Sequence, residues 1–319
     1  MKTSVKTEAH IGEQPIRVLK HNVITRLVER NEEYIKLLQS DFRLDRNIKY
    51  HIANLPLIDR QTPFIDEEGI INLHETYLSY VWIVCYHFFV LHEEILALPD
   101  QIRQGLPTHK AQNLQLVNDA EELFRYGKSL IINYSSWDKD SLPNPEFFDE
   151  QTEEGLYILK TNDLYVEVLN FILYHETAHA EFEHIKQLKQ INEKDLKSKE
   201  QKNMEIEADS RAIELILSNG RNKKVSELAI IIGLASMLFF RKSLDRGSKH
   251  PNIDTRLENA IRLFSPKEDS SIWTMLALFL KIWDKQFALR LIEQPAYDTY
   301  MELYYDLLSQ LNNNSATDK

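Results

Sequence analysis

Leu169-Asn170-Phe171-Ile172-Leu173-Tyr174-His175-Glu176-Thr177-Ala178-His179-Ala180 is the stretch on which the reading of this chain turns. Leu169, Phe171, Ile172 and Leu173 are apolar, as in a helix buried beneath a cleft. With Thr161, Asn162 and Asp163 as candidate caps, the spacing predicts a helix over about 163–187. On a helix, positions i and i+4 share a face, so the imidazoles of His175 and His179 can hold one metal ion. Glu176 lies one residue along and can reach a water at that metal as general base. Zinc suits the arrangement, because it lowers the pKa of water toward neutrality and polarises a carbonyl. Ala178 and Ala180 are small enough to let neighbouring elements approach.

A catalytic zinc takes three protein ligands and keeps one position open. His184 lies five residues after His179 with no glycine turn between them, which rejects it as third ligand and makes it a surface or supporting residue. A better candidate stands in Asn203-Met204-Glu205-Ile206-Glu207-Ala208-Asp209-Ser210-Arg211-Ala212. Glu205 and Asp209 are four apart and share a helical face. Glu205 completes a two-histidine, one-glutamate set, and Asp209 can accept the remaining N–H of a ligating histidine. Glu207 points about 200° away on an ideal helix and is the weaker alternative ligand.

Together, the histidine motif and the Glu205 segment resemble the gluzincin metallopeptidases. The Glu205 segment resembles the catalytic core of the heat-shock and CAAX prenyl membrane peptidases, and His250-Pro251-Asn252-Ile253-Asp254-Thr255-Arg256 is similar in kind and order to their downstream element. The resemblance implies His175, His179 and Glu205 as zinc ligands, Glu176 as base and Asp209 behind the ligands. His250 and Arg256 then either stabilise the transition state or are structural. Lacking clear membrane spans, the chain also resembles the phage-exclusion peptidase Lit family over roughly residues 155–260. That family implies a cytoplasmic protease that cuts a host protein during phage infection.

Working outward, 8 glycines in 319 residues favour long helices with few tight turns. The expected fold is mainly α: a multi-helix metallopeptidase with at most a small β-element near the active-site helix. Gly155 to Leu159 reads as that element, a short strand on which a substrate could pair. The helix from about 72 is expected to stop at Pro99. A net charge of −11 excludes a general nucleic-acid binder. A single cysteine, Cys85, excludes an intrachain disulfide, and the polar first fifteen residues do not read as a secretory signal, so a cytoplasmic setting is expected. No stable membrane span is expected, because Tyr77 to Leu98 is interrupted by His87, His92, Glu93 and Glu94.

Composition shifts suggest an N-terminal helical region over 1–134, a metallopeptidase core over 150–265 and a C-terminal helical region over 266–319, or one compact domain combining them. The expected partners are a protein substrate and a protein or peptide activator, with the polar segment 186–203 placed to gate the site. Two other readings compete. Glu176-x-x-His179 and Glu181-x-x-His184 echo di-iron carboxylate proteins, but those take such pairs from two helices, and both copies here fall on one. A non-catalytic helical regulator with a metal-stabilised core would have no use for Glu176.

Overall fold

The computed structural model describes residues 12–317 except 60–61, 109, 220–221, 246, 248 and 295. His109 and Gly220, expected at helix ends, and the first eleven residues lie outside that set. The fold is mainly α with a small three-stranded sheet. A 3-10 turn (Pro15–Leu19) leads into α1 (Lys20–Arg30) and α2 (Glu32–Ser40). Strands β1 (Ile48–His51), β2 (Phe64–Ile65) and β3 (Ile71–His74) follow. Next come α3 (Glu75–Leu91), α4 (Leu98–Arg103), α5 (Leu114–Ile132) and α6 (Glu153–Glu181). The chain continues with α7 (His184–Gln190), α8 (Lys194–Ser218) and α9 (Lys223–Ala235). It ends with α10 (Ile253–Phe264), α11 (Ser271–Phe287) and α12 (Tyr300–Thr317). One hydrophobic core runs from Ile16 to Leu311.

Helix α6 is the axis of that core. Every residue from Leu164 to Ala178 is buried, so the helix has no solvated face along this stretch, as expected of one enclosed by others. It packs against α1, α3, α8 and α9. At Gly233 of α9, an added Cβ would lie 2.9 Å from Cδ1 of Phe171, so glycine permits the close approach of α9 to α6. On the α1 side, buried Glu167 accepts from Arg26 and Arg30 at 2.6 Å each, and the Tyr174 hydroxyl donates to the Leu27 carbonyl.

Three expectations are corrected. Gly155 to Leu159 is not a strand but the start of α6, which begins ten residues before the expected helix. The Thr152 hydroxyl accepts from the Gly155 N–H at 3.0 Å and caps it. Tyr157 and Ile158 turn inward while Leu156 and Leu159 stay exposed, a helical rather than alternating pattern. The expected caps from Thr161 to Asp163 therefore lie within the helix. The sheet lies instead within residues 48–74, ahead of α3: β3 pairs with β1 in parallel and with β2 antiparallel, and residues 72–74, expected in the helix, belong to β3. Finally, Pro99 does not stop the third helix. A π-helical turn over His92–Ala97 carries the chain without a break into the first turn of α4, where Pro99 lies; the carbonyl of Glu94, within the π-helical turn, accepts from the Gln112 side chain.

The run Glu75–Arg103 is long and apolar enough to cross a membrane by composition, but 67% of its apolar window is buried in the fold, as in a core helix. The polar segment 186–203 is mostly helical, forming most of α7 and the solvated first turns of α8.

A Cβ on Gly155 would meet the Asp149 carbonyl oxygen at 1.9 Å. Gly155→Ala should therefore destabilise the protein by about 1–3 kcal/mol, the usual cost of overpacking. Chemical denaturation measures this, and a negligible loss would show that the 149–155 turn can open freely.

Candidate metal centre

The site lies where α6 meets α8, α10 and β2. His175 and His179 project from one face of α6, and their Nε2 atoms approach to 3.1 Å. Glu205, on the buried face of α8, sets Oε2 3.6 Å from His175 Nε2 and Oε1 3.6 Å from His179 Nε2. These three residues are the group among the described residues whose donor atoms could converge on one ion, all within 4.8 Å of one another. Ala208 and Ala212, both fully buried, leave room for α8 to lie close to α6.

Asp209, one turn beyond Glu205, is completely buried. Its Oδ1 accepts from His175 Nδ1 at 2.9 Å. Arg256 from α10 grips the same carboxylate through Nε and an Nη, both at 2.6 Å. With its Nδ1 proton committed to Asp209, His175 presents an Nε2 lone pair toward His179. Two lone pairs 3.1 Å apart repel unless a cation or a shared proton lies between them. Burial favours neutral His175, but Asp209 and Glu205 outweigh it and raise its pKa. His179 makes no hydrogen bond to a carboxylate like that of His175 to Asp209, and burial, reinforced by the charge of His175 and only partly opposed by Glu205, pushes its pKa down to about 3.

Glu176 points toward the sheet, where Oε2 accepts from the backbone N–H of Ile65 in β2 at 3.0 Å. Burial pushes its carboxyl up to about 7, the neighbouring Glu205 charge adding to the rise and His175 opposing it. Burial acts on Glu205 in the same direction, yet His250, His175 and Arg256 together hold it well below the usual carboxylate range. His250, half-exposed, sets Nδ1 3.0 Å from Glu205 Oε2. Thus the structure gathers His175, Glu176, His179, Glu205, Asp209, His250 and Arg256 in one place.

Glu207 lies away from the histidine pair, beside His184 at 3.1 Å. His184 is 1% exposed, so the surface reading of it is overturned. Glu181, the other member of the di-iron pattern, is turned aside by Arg211 and Tyr34. Sequence reasoning missed the Ile65 contact, which leaves no signal because it uses a backbone N–H. It also missed how far His184 is enclosed, although three histidines within ten residues were a hint.

The Peptidase U49 family model matches residues 71–276, more than half of the chain, and spans every residue of this cluster. The chain belongs to the Peptidase U49 family. It is therefore a peptidase, a hydrolase acting on polypeptide substrates. No curated protein and no solved structure matches the chain. Membership of a U49 peptidase family leaves the non-catalytic regulator reading without support.

Asp209→Ala would leave the Arg256 guanidinium buried without its counter-ion. The expected loss of unfolding free energy is about 3–5 kcal/mol, measured by denaturation of metal-free protein. A loss closer to the ~1 kcal/mol of a surface pair would mean that water reaches Arg256.

Proposed function

We propose that this U49 peptidase is a zinc-dependent endopeptidase of gluzincin type, with His175, His179 and Glu205 as ligands and Glu176 as general base. The observation that carries this reading is the convergence of two imidazole lone pairs and one low-pKa carboxylate on a point within reach of all three. The residues fit the ion: the nitrogen and oxygen donors are those zinc takes, and Asp209 already holds one ligand in its metal-binding tautomer. Zinc held there would supply a Lewis acid that brings water toward deprotonation at neutral pH and polarises the scissile carbonyl.

The chain's own groups account for the rest. With Oε2 engaged by Ile65, Glu176 has Oε1 left to take a proton from the attacking water and return it to the leaving amine. A carboxyl near 7 is matched to both transfers. The half-exposed His250 donates Nδ1–H to Glu205 Oε2, so support of the developing oxyanion would fall to its Nε2 in the protonated ring. Arg256 is committed to Asp209 and serves as structural support.

Two cavities flank the centre. One of about 410 Å³ is walled by Tyr77, Phe171, Ile172, Leu234, Met237 and Phe240, with Glu176 and Glu205 at its edge. The other, about 270 Å³, lies beyond His179 between Phe42, Arg43 and Ile185. Both touch the segment around β2, whose order β1-β3-β2 makes it an edge strand. Cavities on both sides of the chemistry suit an extended chain passing through, hence internal cleavage. The edge-strand role expected of residues 155–159 falls in this reading to β2. The resemblance to the Lit family supports an intracellular protein substrate, action in the cytoplasm and a role in phage defence.

Metal analysis tests the centre. Wild type should carry about one zinc per chain and Glu205→Ala far less. Glu176→Gln should keep the metal while turnover falls by about 10²–10⁴-fold. A metal-free wild type, purified without chelators, would sink the assignment.

The apolar cavity predicts a preference for substrates with a large apolar side chain next to the scissile bond. Met237→Trp should lower cleavage of such peptides by roughly 10-fold while sparing those with small residues there. Equal losses for both would assign the cavity another role.

A further inference from the structure

One buried residue at the centre has no task in the scheme above. His184 is enclosed beneath His179, its Nδ1 2.9 Å from His179 Nδ1 and its Nε2 3.1 Å from Glu207 Oε2. The chain makes an unusual turn to put it there. Helix α6 ends at Glu181, and Glu183 adopts a left-handed conformation, φ 54° and ψ 35°, before α7 begins at His184. A left-handed conformation is strained for any residue other than glycine. The turn folds the His184 ring back to 5.0 Å from the His179 ring, nearly perpendicular to it.

The direction of the hydrogen bonds follows from the chemistry of the groups. If His179 binds a metal through Nε2, its proton is on Nδ1 and must be donated. The atom facing that proton is His184 Nδ1, which must then accept. A neutral His184 that accepts at Nδ1 carries its own proton on Nε2, and the group facing Nε2 is the Glu207 carboxylate, which can only accept. With His179 ligating and His184 neutral, every donor finds an acceptor in one direction alone, from His179 through His184 to Glu207. The opposite order would have an N–H of His184 aimed at His179, forcing the proton of His179 onto Nε2 and removing it as a ligand.

We propose that His184 and Glu207 are positioning residues that fix His179 in its metal-binding tautomer, a two-step counterpart of the direct Asp209 contact to His175. The inference rests on the metal reading of the site and deepens it. It also gives Glu207, which sits on the ligand-bearing helix two residues after Glu205, a task distinct from ligation. The two ligating histidines are thereby oriented from opposite sides. His175 is held by a carboxylate fully buried in the core, and His179 by a relay ending on a carboxylate that is 56% exposed.

Two measurements test it. Two-bond ¹H–¹⁵N correlation spectra of the zinc-loaded wild-type protein report imidazole tautomers directly. His184 should carry its proton on Nε2 and His179 on Nδ1; a His184 protonated on Nδ1 would overturn the proposal. Zinc affinity, by competition with a chromophoric chelator, should fall about 10–100-fold in His184→Phe, which fills the space but cannot accept a hydrogen bond. His184→Asn places Oδ1 near the position of the lost Nδ1 and should recover most of the affinity. A residue that only packs predicts the reverse order, and phenylalanine matching wild type would likewise overturn the relay. A wild type that takes up no zinc would fail the metal reading and the relay with it. Zinc binding in the wild type with no loss in His184→Phe would fail the relay alone.

Discussion

The carboxylate of Asp209 is the constraint around which this site is organised. It is wholly removed from water, a condition that is costly for a charge unless every lone pair is matched. Arg256 and His175 provide the match, and they come from two other helices. One buried group thus fixes α8 against both α6 and α10 and sets the rotation of the His175 ring. Burial alone would raise the Asp209 pKa, but the guanidinium outweighs it and holds the carboxyl below its ordinary value. The order of dependence follows: the ion pair fixes three helices, those helices hold the rings, and the rings define the centre.

The rest of the fold makes that centre stiff on one side and reachable on the other. The apolar length of α6 is sheathed by α1, α3, α8 and α9, so its path has little freedom. Toward its C-terminal end the sheath opens beside β2, and Glu176 and the histidine pair meet two cavities there. Protein-cleaving chemistry needs both properties: groups held in place by packing, and a surface on which a long chain can lie. The sheet is small, yet it supplies an edge strand and a backbone N–H that fixes the direction of Glu176.

Much of this was legible in the sequence because helical periodicity is local. Four-residue spacing in His175/His179 and in Glu205/Asp209 predicts shared faces without knowledge of what packs where. The shortage of glycine predicts a helical fold. Errors arose where one residue type serves two structural purposes. Gly155 reads as a turn or strand boundary, whereas it admits the Asp149 carbonyl against the first turn of α6. Pro99 reads as a stop, whereas a π-helical turn carries the chain without a break into α4, where Pro99 lies. The strands around residues 48–74 are two to four residues long, too short for alternation to register.

By itself, the sequence determined the mainly helical class and nominated the cluster, since both follow from spacing within single helices. It narrowed the third candidate ligand to Glu205 or Glu207 by the same logic. Only the tertiary structure decided which of these faces the histidine pair, because the rotation of α8 is set by the Asp209–Arg256 pair, 47 residues apart along the chain. Only it brought β2 to Glu176 across 111 residues and folded His184 under His179 through a left-handed turn at a glutamate. Local spacing fixes what shares a face, while long-range packing and the matching of buried charges fix what that face meets.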